Sequence, residues 1–168
     1  LSSTGKLYLC GHPQNGAYPH VSASSLSVDA TSYVDANEQG YLGTSSQAAS
    51  DCLACPIPST PTFPKMNTWN KLQYCSGGGA HGGRGGHHYA NEPLMTESYD
   101  SPTDPVLPGA GGICGFNAHL GRRGGGVIFL DIAGAAVVDG TLRANGGTGS
   151  GYFSSGAAGG TVRLKCRT

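Results

Sequence analysis

Apolar residues along this chain come in short bursts. Three segments share one pattern, a glycine followed by β-branched, aromatic or leucine positions with a period near two. They are Gly5-Lys6-Leu7-Tyr8-Leu9, Gly126-Val127-Ile128-Phe129-Leu130 and Gly160-Thr161-Val162-Arg163-Leu164. A period of two is that of a strand with one buried face, and these residue types favour pleated backbone. The run Val127-Ile128-Phe129-Leu130 has one strand's length, far below the eighteen or so apolar residues that cross a bilayer. No segment carries a helical period. The expected class is all-β.

A second motif recurs. Val28-Asp29-Ala30-Thr31 leads to Val34-Asp35-Ala36-Asn37, and Val138-Asp139-Gly140-Thr141 leads to Leu142-Arg143-Ala144-Asn145, with a two-residue insertion at Ser32-Tyr33 in the first copy. A third pairs Ala80-His81-Gly82-Gly83-Arg84-Gly85 with Ala118-His119-Leu120-Gly121-Arg122-Arg123-Gly124. Repeated short strands with Gly, Asn and Asp between them fit stacked β-coils, a β-helix or β-solenoid in which each coil pairs with the next. The alternative is a β-sandwich of similar short strands. Asn145-Gly146-Gly147, and at more cost Asn37-Glu38-Gln39-Gly40, supply residues that tolerate positive φ at a corner. The whole of 1–168 reads as one β-repeat module. A Cys/Pro-rich insertion interrupts it at about 42–75 and a Pro-rich loop at about 99–110. The stretches 56–64 and 101–108 are expected to be extended and polyproline-like.

Composition changes this picture in two ways. Gly and Pro number 29 and 10 of 168 residues, and only 12% are charged, about half the usual share. Ten acids balance ten bases. Zero net charge argues against a polyanion binder, although Arg84, Arg122 and Arg123 sit among glycines as in RNA-binding segments. Core-forming residues are few, and six cysteines (Cys10, Cys52, Cys55, Cys75, Cys114, Cys166) are an even number. Disulfides substitute for buried area in such chains and persist in oxidising compartments. Their pairing is open among fifteen connectivities. Cys52-Leu53-Ala54-Cys55 has redox spacing, but Pro-Ile-Pro follows instead of a helix, so two structural half-cystines are expected. A secreted, extracellular or cell-surface location follows. The chain opens at Leu1 and reads as a mature product or one module of a longer precursor.

Candidate chemistry is sparse. His81, His87 and His88 crowd one Gly-rich loop and have metal-ligating side chains, but no carboxylate or Cys stands at ligand spacing beside them. No metal and no cofactor is therefore expected. Asp29, Asp35, Asp131 and Asp139 lie near strand ends, where paired acids could cleave a glycoside. Asp29 and Asp139 occupy equivalent places in two repeats, however, which is the habit of turn residues and not of an asymmetric active site. No nucleophile motif or phosphate loop is present, so the chain is expected not to be an enzyme. There is no Asn-x-Ser/Thr sequon. Ser59, Thr60, Thr62, Ser101 and Thr103 stand beside prolines in a setting for O-glycosylation, and Pro58, Pro61, Pro64, Pro102 and Pro105 are candidates for modification. Eight Tyr and Trp69 offer rings that could stack on sugars.

Two strings carry a family resemblance. They are Gly-Gly-Gly-Ala-His-Gly-Gly-Arg-Gly-Gly at 77–86 and the series from Gly124 through Val138-Asp139-Gly140 to Ala144-Asn145-Gly146, closed by Gly159-Gly160-Thr161-Val162-Arg163-Leu164. The chain resembles glycine-rich β-repeat modules of large secreted or cell-surface proteins of algae and other protists. The likeness spans 25–41, 77–86 and 109–166 and fails over 42–75. It implies an extracellular location and repetitive β-architecture, and it transfers no catalytic residue. Together with the residue reading it points to a structural protein that self-assembles head-to-tail into a surface fibre or wall component. The assembly strands would be Lys6, Leu7, Tyr8 and Leu9 at one end and Thr161, Val162, Arg163 and Leu164 at the other. Its partners would be copies of itself and glycans, with no nucleic acid and no membrane span. The alternative is a carbohydrate-binding or adhesin module of a larger surface protein.

Overall fold

Each glycine-led segment becomes a strand that starts on the residue after its glycine. The computed structural model describes residues 1–13, 15–45, 78–83, 85, 98–114, 121–149 and 155–167. Among the described residues there is no helix, and the strands are β1 (Lys6–Tyr8), β2 (His20–Ala23), β3 (Leu26–Val28), β4 (Tyr33–Asp35), β5 (Thr44–Ser45), β6 (Ile113–Cys114), β7 (Val127–Ile132), β8 (Ala136–Val138), β9 (Thr141–Arg143) and β10 (Thr161–Cys166). The protein is all-β.

Every pairing among the described residues is parallel. The series β2, β3, β4 lies on the series β7, β8, β9, each strand against its counterpart. β10 extends the first of these pairs to the sheet β10-β7-β2, β3-β8 remain a two-stranded second sheet, β1 extends the third pair to β1-β4-β9, and β5-β6 are a separate pair. The Val-Asp motif explains the register, because Val28 stands opposite Val138 and Val34 opposite Leu142. The two extra residues of the first copy fall in the turn and not at Ser32-Tyr33. Tyr33 is opposite Thr141, so 29–32 form a longer bend, closed by Ser32 N–H donating to the Asp29 carbonyl at 3.0 Å.

Strand β7 is apolar on consecutive positions because it is covered on both faces, as parallel central strands are. Ile128, Leu130 and Ile132 are fully buried with Val28 and Val34, and Leu9, Ala36 and Ala144 complete the cluster. Each large aliphatic side chain so buried contributes about 1.5–3 kcal/mol.

Beside the sheets lies a layer with no ladder pattern, built from the glycine runs. Gly40 N–H donates to Gly124 O at 2.7 Å, Gly109 N–H to Gly125 O at 2.8 Å, and Gly125 N–H to Ala158 O at 2.9 Å. Ala158 N–H donates to Ala110 O, and Ala110 N–H to Ala80 O. Successive residues of one segment thus reach different neighbouring segments. Glycine is needed for proximity: a Cβ on Gly124 would collide with the Gly109 carbonyl, and one on Gly160 with Gly126 O. This corrects the expectation that glycine serves the corners through positive φ. Among the described glycines only Gly16 has it, at 72°, and at the Asn37 corner Glu38 adopts φ 53° instead.

Residues 101–108 are not the extended rod that the prolines imply. They bend tightly, because the Ser101 hydroxyl accepts N–H bonds from Thr103 (3.3 Å) and Asp104 (3.0 Å). The stretch 56–64 lies outside the described residues, as does most of the 42–75 insertion.

Candidate assembly surface

Parallel in-register strands stack like side chains in columns. On β7, the inward column is Ile128, Leu130 and Ile132. Opposite them on β10 stand Val162, Leu164 and Cys166. The β7 residues are 0% exposed, whereas Val162 is 46% and Leu164 40% exposed. The difference is position: among the described residues β10 has a strand neighbour only in β7. Its apolar column is the end of the core, uncovered. The outer face of β10 is held down, since Thr161 Oγ1 donates to Leu107 O at 2.7 Å and Arg163 pairs with Asp104. Arg163 and Lys165 lie over the Phe129 ring at 4.9 and 5.5 Å, and His20 packs on it with centroids 3.8 Å apart.

The opposite end is similar. Among the described residues β1 and β2 each have one strand neighbour, β4 and β7, and Leu7, Val21, Ala23 and Leu26 are partly buried against the core. The assembly strands expected from sequence, Lys6 to Leu9 and Thr161 to Leu164, therefore do lie at sheet edges. They belong to different sheets, however. Their shared glycine-led pattern reports a strand with an inward face and carries no information on sheet membership.

The outer face of β1-β4-β9 carries a polar ladder. Tyr8 and Tyr33 meet edge to face at 6.0 Å with their hydroxyls 3.0 Å apart. The Arg143 guanidinium lies 4.0 Å over the Tyr33 ring and donates to Asp35 Oδ2 from Nε (3.0 Å) and Nη2 (2.7 Å). Asp35 beside it, more than any other group, raises the Arg143 pKa further above its ordinary value. Tyr8 is 59% exposed.

Three of the four acids near strand ends, Asp29, Asp35 and Asp131, have side-chain partners within the chain. Asp35 is bound as above, and Asp131 accepts from Arg167 Nη2 at 2.9 Å. Asp29 accepts N–H bonds from Ser3 (2.7 Å) and Thr31 (3.0 Å) and the Thr31 hydroxyl (3.0 Å). The Ser32 hydroxyl beside it and these N–H donors lower its pKa to about 2, from 3.8. A depressed carboxylate pKa stabilises the fold fully above 3.8, and that contribution is lost as pH falls through about 2. Asp29→Asn is therefore expected to flatten the fall in urea midpoint between pH 5 and pH 2. An unchanged slope would show that the turn does not use the charge.

His81 is not presented to a metal. Its Nδ1 is 3.1 Å from Gly159 O and its Nε2 is 3.1 Å from Asp100 Oδ2, so both ring nitrogens face oxygen atoms. His87 and His88 lie outside the described residues, and among the described residues no three His, Cys, Asp or Glu side chains are grouped as metal ligands. Asp100 is the centre of the 98–108 loop. At φ 69° it accepts N–H bonds from Ser101 (2.8 Å), Val106 (2.8 Å) and Leu107 (2.7 Å), while Tyr99 O–H donates to Pro108 O at 2.5 Å. Sequence reading missed this residue. The available signal was an Asp, a residue type that tolerates left-handed backbone, directly before Ser-Pro-Thr-Asp.

Cys10 and Cys166 are free and exposed, which corrects the expectation that both are half-cystines. One follows β1 and the other ends β10, strands of different sheets. Cys52, Cys55 and Cys75 lie outside the described residues, and of Cys114 only the backbone, in β6, is described. Thr103, Pro102 and Asp104 are exposed, Ser101 and Pro105 half-buried. Ser59, Thr60, Thr62, Pro58, Pro61 and Pro64 lie outside the described residues. Among the described residues no helix is long and apolar enough to cross a membrane. Comparisons of the chain with family models, curated proteins and solved structures return no match.

Proposed function

We propose that the chain winds as stacked coils, strand series upon strand series, and that these coils grow end-on into an extracellular fibre or wall component. The parallel pairing of β2-β3-β4 with β7-β8-β9 supports coils over a sandwich, whose sheets are antiparallel. One observation carries the assembly reading: Val162 and Leu164 are largely exposed while Ile128 and Leu130, opposite them, are fully buried. An unfinished apolar column beside an unpaired strand edge is a template for another chain, and a contact between unlike ends does not close, so it propagates. The extracellular part rests on the prolines flanking Ser and Thr, among which Thr103 is exposed at a bend.

The test is sedimentation and electron microscopy across concentration, with intact mass on the same native sample. Filaments are expected, with mass above 17.0 kDa in sugar-sized steps. Monomers of unmodified mass well above micromolar concentration would overturn the reading. A second reading, carbohydrate binding, draws on the Tyr8-Tyr33-Arg143-Asp35 ladder, where an exposed ring stands beside charged hydrogen-bonding groups. Retention on a glycan array that is lost in Tyr8→Ala would support it.

A further inference from the structure

We propose that adjacent copies share one turn of chain, to which the first copy contributes β10 and the next copy contributes β1 and its leading Leu1 segment. This rests on the end-on assembly reading and specifies its interface. The two ends of the structure are stepped. At one end β10 stands a layer ahead in the first sheet, beyond β7, while β8 and β9 are the last strands of the other two sheets. At the other end the step is reversed. β1 stands a layer ahead of β4, and Leu1 does the same beside β3. The Leu1 N donates to Ser27 O at 2.6 Å, and the Leu1 carbonyl accepts from Asp29 N–H at 3.2 Å. That pair of bonds is the parallel-ladder pattern against Val28. β2, in the first sheet, has no layer before it among the described residues.

The missing layer at each end is what the other end supplies. A second copy set on the first places its β2 against β10, its β1 against β9, and its Leu1 against Val138 of β8. All three sheets then continue without a gap. Carrying the internal register forward fixes the contacts. Leu164 is in the column of Leu130 and Val21, so it meets Val21 of the next copy. Leu142 is in the column of Val34 and Leu7, so it meets Leu7 of the next copy. The two assembly strands thus never pair with each other, because they occupy different sheets of the shared turn. The Ser3 N–H bond to Asp29 and the Thr4 N–H bond to Thr31 Oγ1 at 3.1 Å hold the leading segment in place before a neighbour arrives.

Four single variants of the full chain test this: Val21→Asp and Leu7→Asp at one end, Leu164→Asp and Leu142→Asp at the other. Each is expected to raise the critical concentration for assembly by about 100-fold or more, since each places a charge in a closed apolar column. Mixing one variant from each end leaves one intact pair of ends, and is expected to give a two-chain complex in analytical ultracentrifugation. Mixtures from the same end stay monomeric. Capture of a variant into such a complex also shows that it is folded, and a variant never captured is replaced by its milder Thr or Ser counterpart. If Val21→Asp and Leu142→Asp assemble like the unmodified chain while Leu164→Asp and Leu7→Asp do not, β1 and β10 pair directly. The shared turn is then wrong, although end-on growth stands. If the unmodified chain never assembles, the underlying reading fails instead.

Discussion

Gly125→Ala is expected to lower the stability of the fold by about 3 kcal/mol or more, at the upper end of what overpacking costs, with a melting temperature about 10 °C lower. The added methyl would fall on the Ala144 carbonyl oxygen, 2.5 Å from Gly160 N and 2.7 Å from the Ala144 carbonyl carbon. Gly160 N–H and Ala144 O are themselves hydrogen-bonded at 2.7 Å, so the methyl wedges into an existing bond. Relief by backbone movement is blocked on both sides. Gly125 donates to Ala158 O and accepts from Gly109 N–H, and two residues on the chain enters the buried strand β7. The natural control is Gly82→Ala, where a Cβ meets nothing within 4 Å and a change within about 0.5 kcal/mol is expected. Equal melting temperatures for the two variants would show that the glycine layer is looser than described.

Asp100→Ala should cost about 3 kcal/mol, read first as faster amide exchange at Val106 and Leu107. The carboxylate is 4% exposed and accepts three backbone N–H bonds besides facing His81. Removing it leaves buried donors without an acceptor, and each bond to a charged group is worth about 1.5–3 kcal/mol. The loop would loosen before the sheets do, and with it the bonds that Thr161 and Arg163 on β10 donate to Leu107 O and Asp104. Asp100→Asn keeps an accepting oxygen and tolerates φ 69°, so it should lose roughly half as much. Burial pulls the Asp100 pKa upward, but the Leu107 N–H, His81 and the Ser101 and Val106 N–H groups outweigh it and hold it below 3.8. The contribution is therefore complete above 3.8 and disappears as pH falls through the lowered value. Protection factors at Val106 and Leu107, corrected for the intrinsic pH dependence of exchange, that stay constant as the pH is taken progressively below 3.8 would contradict this role.

Strands with a strong inward face were legible in the sequence. Gly160 to Leu164 announces itself by glycine followed by alternation and Gly126 to Leu130 by glycine followed by an unbroken apolar run, and Val28-Asp29 against Val138-Asp139 even gives the register. β2 was not legible, since His20-Val21-Ser22-Ala23 offers a single strong apolar residue. It becomes a strand only because β7 lies alongside to pair with it. The grouping of β1 with β4 and β9 was hidden for a related reason: side-chain alternation sets which face is buried, while sheet membership depends on where the chain turns. The role of the glycines was half legible. Their repetition marked them as structural, but conformational freedom and close approach leave the same letter in the sequence. At the candidate ends, exposure of Val162 and Leu164 could not be read from their residue types, because Ile128 and Leu130 obey the same pattern and are buried.

The long reach of the pairing has a kinetic consequence. Asp35 and Arg143 stand opposite each other across 108 residues, and β2 and β3 likewise wait for strands far along the chain. Contacts between distant residues are slow to form, because chain entropy must be lost before any contact rewards it. During synthesis β1 to β4 would emerge with no second series to lie upon. Collapse is therefore expected late, in one step, when β7 to β9 become available.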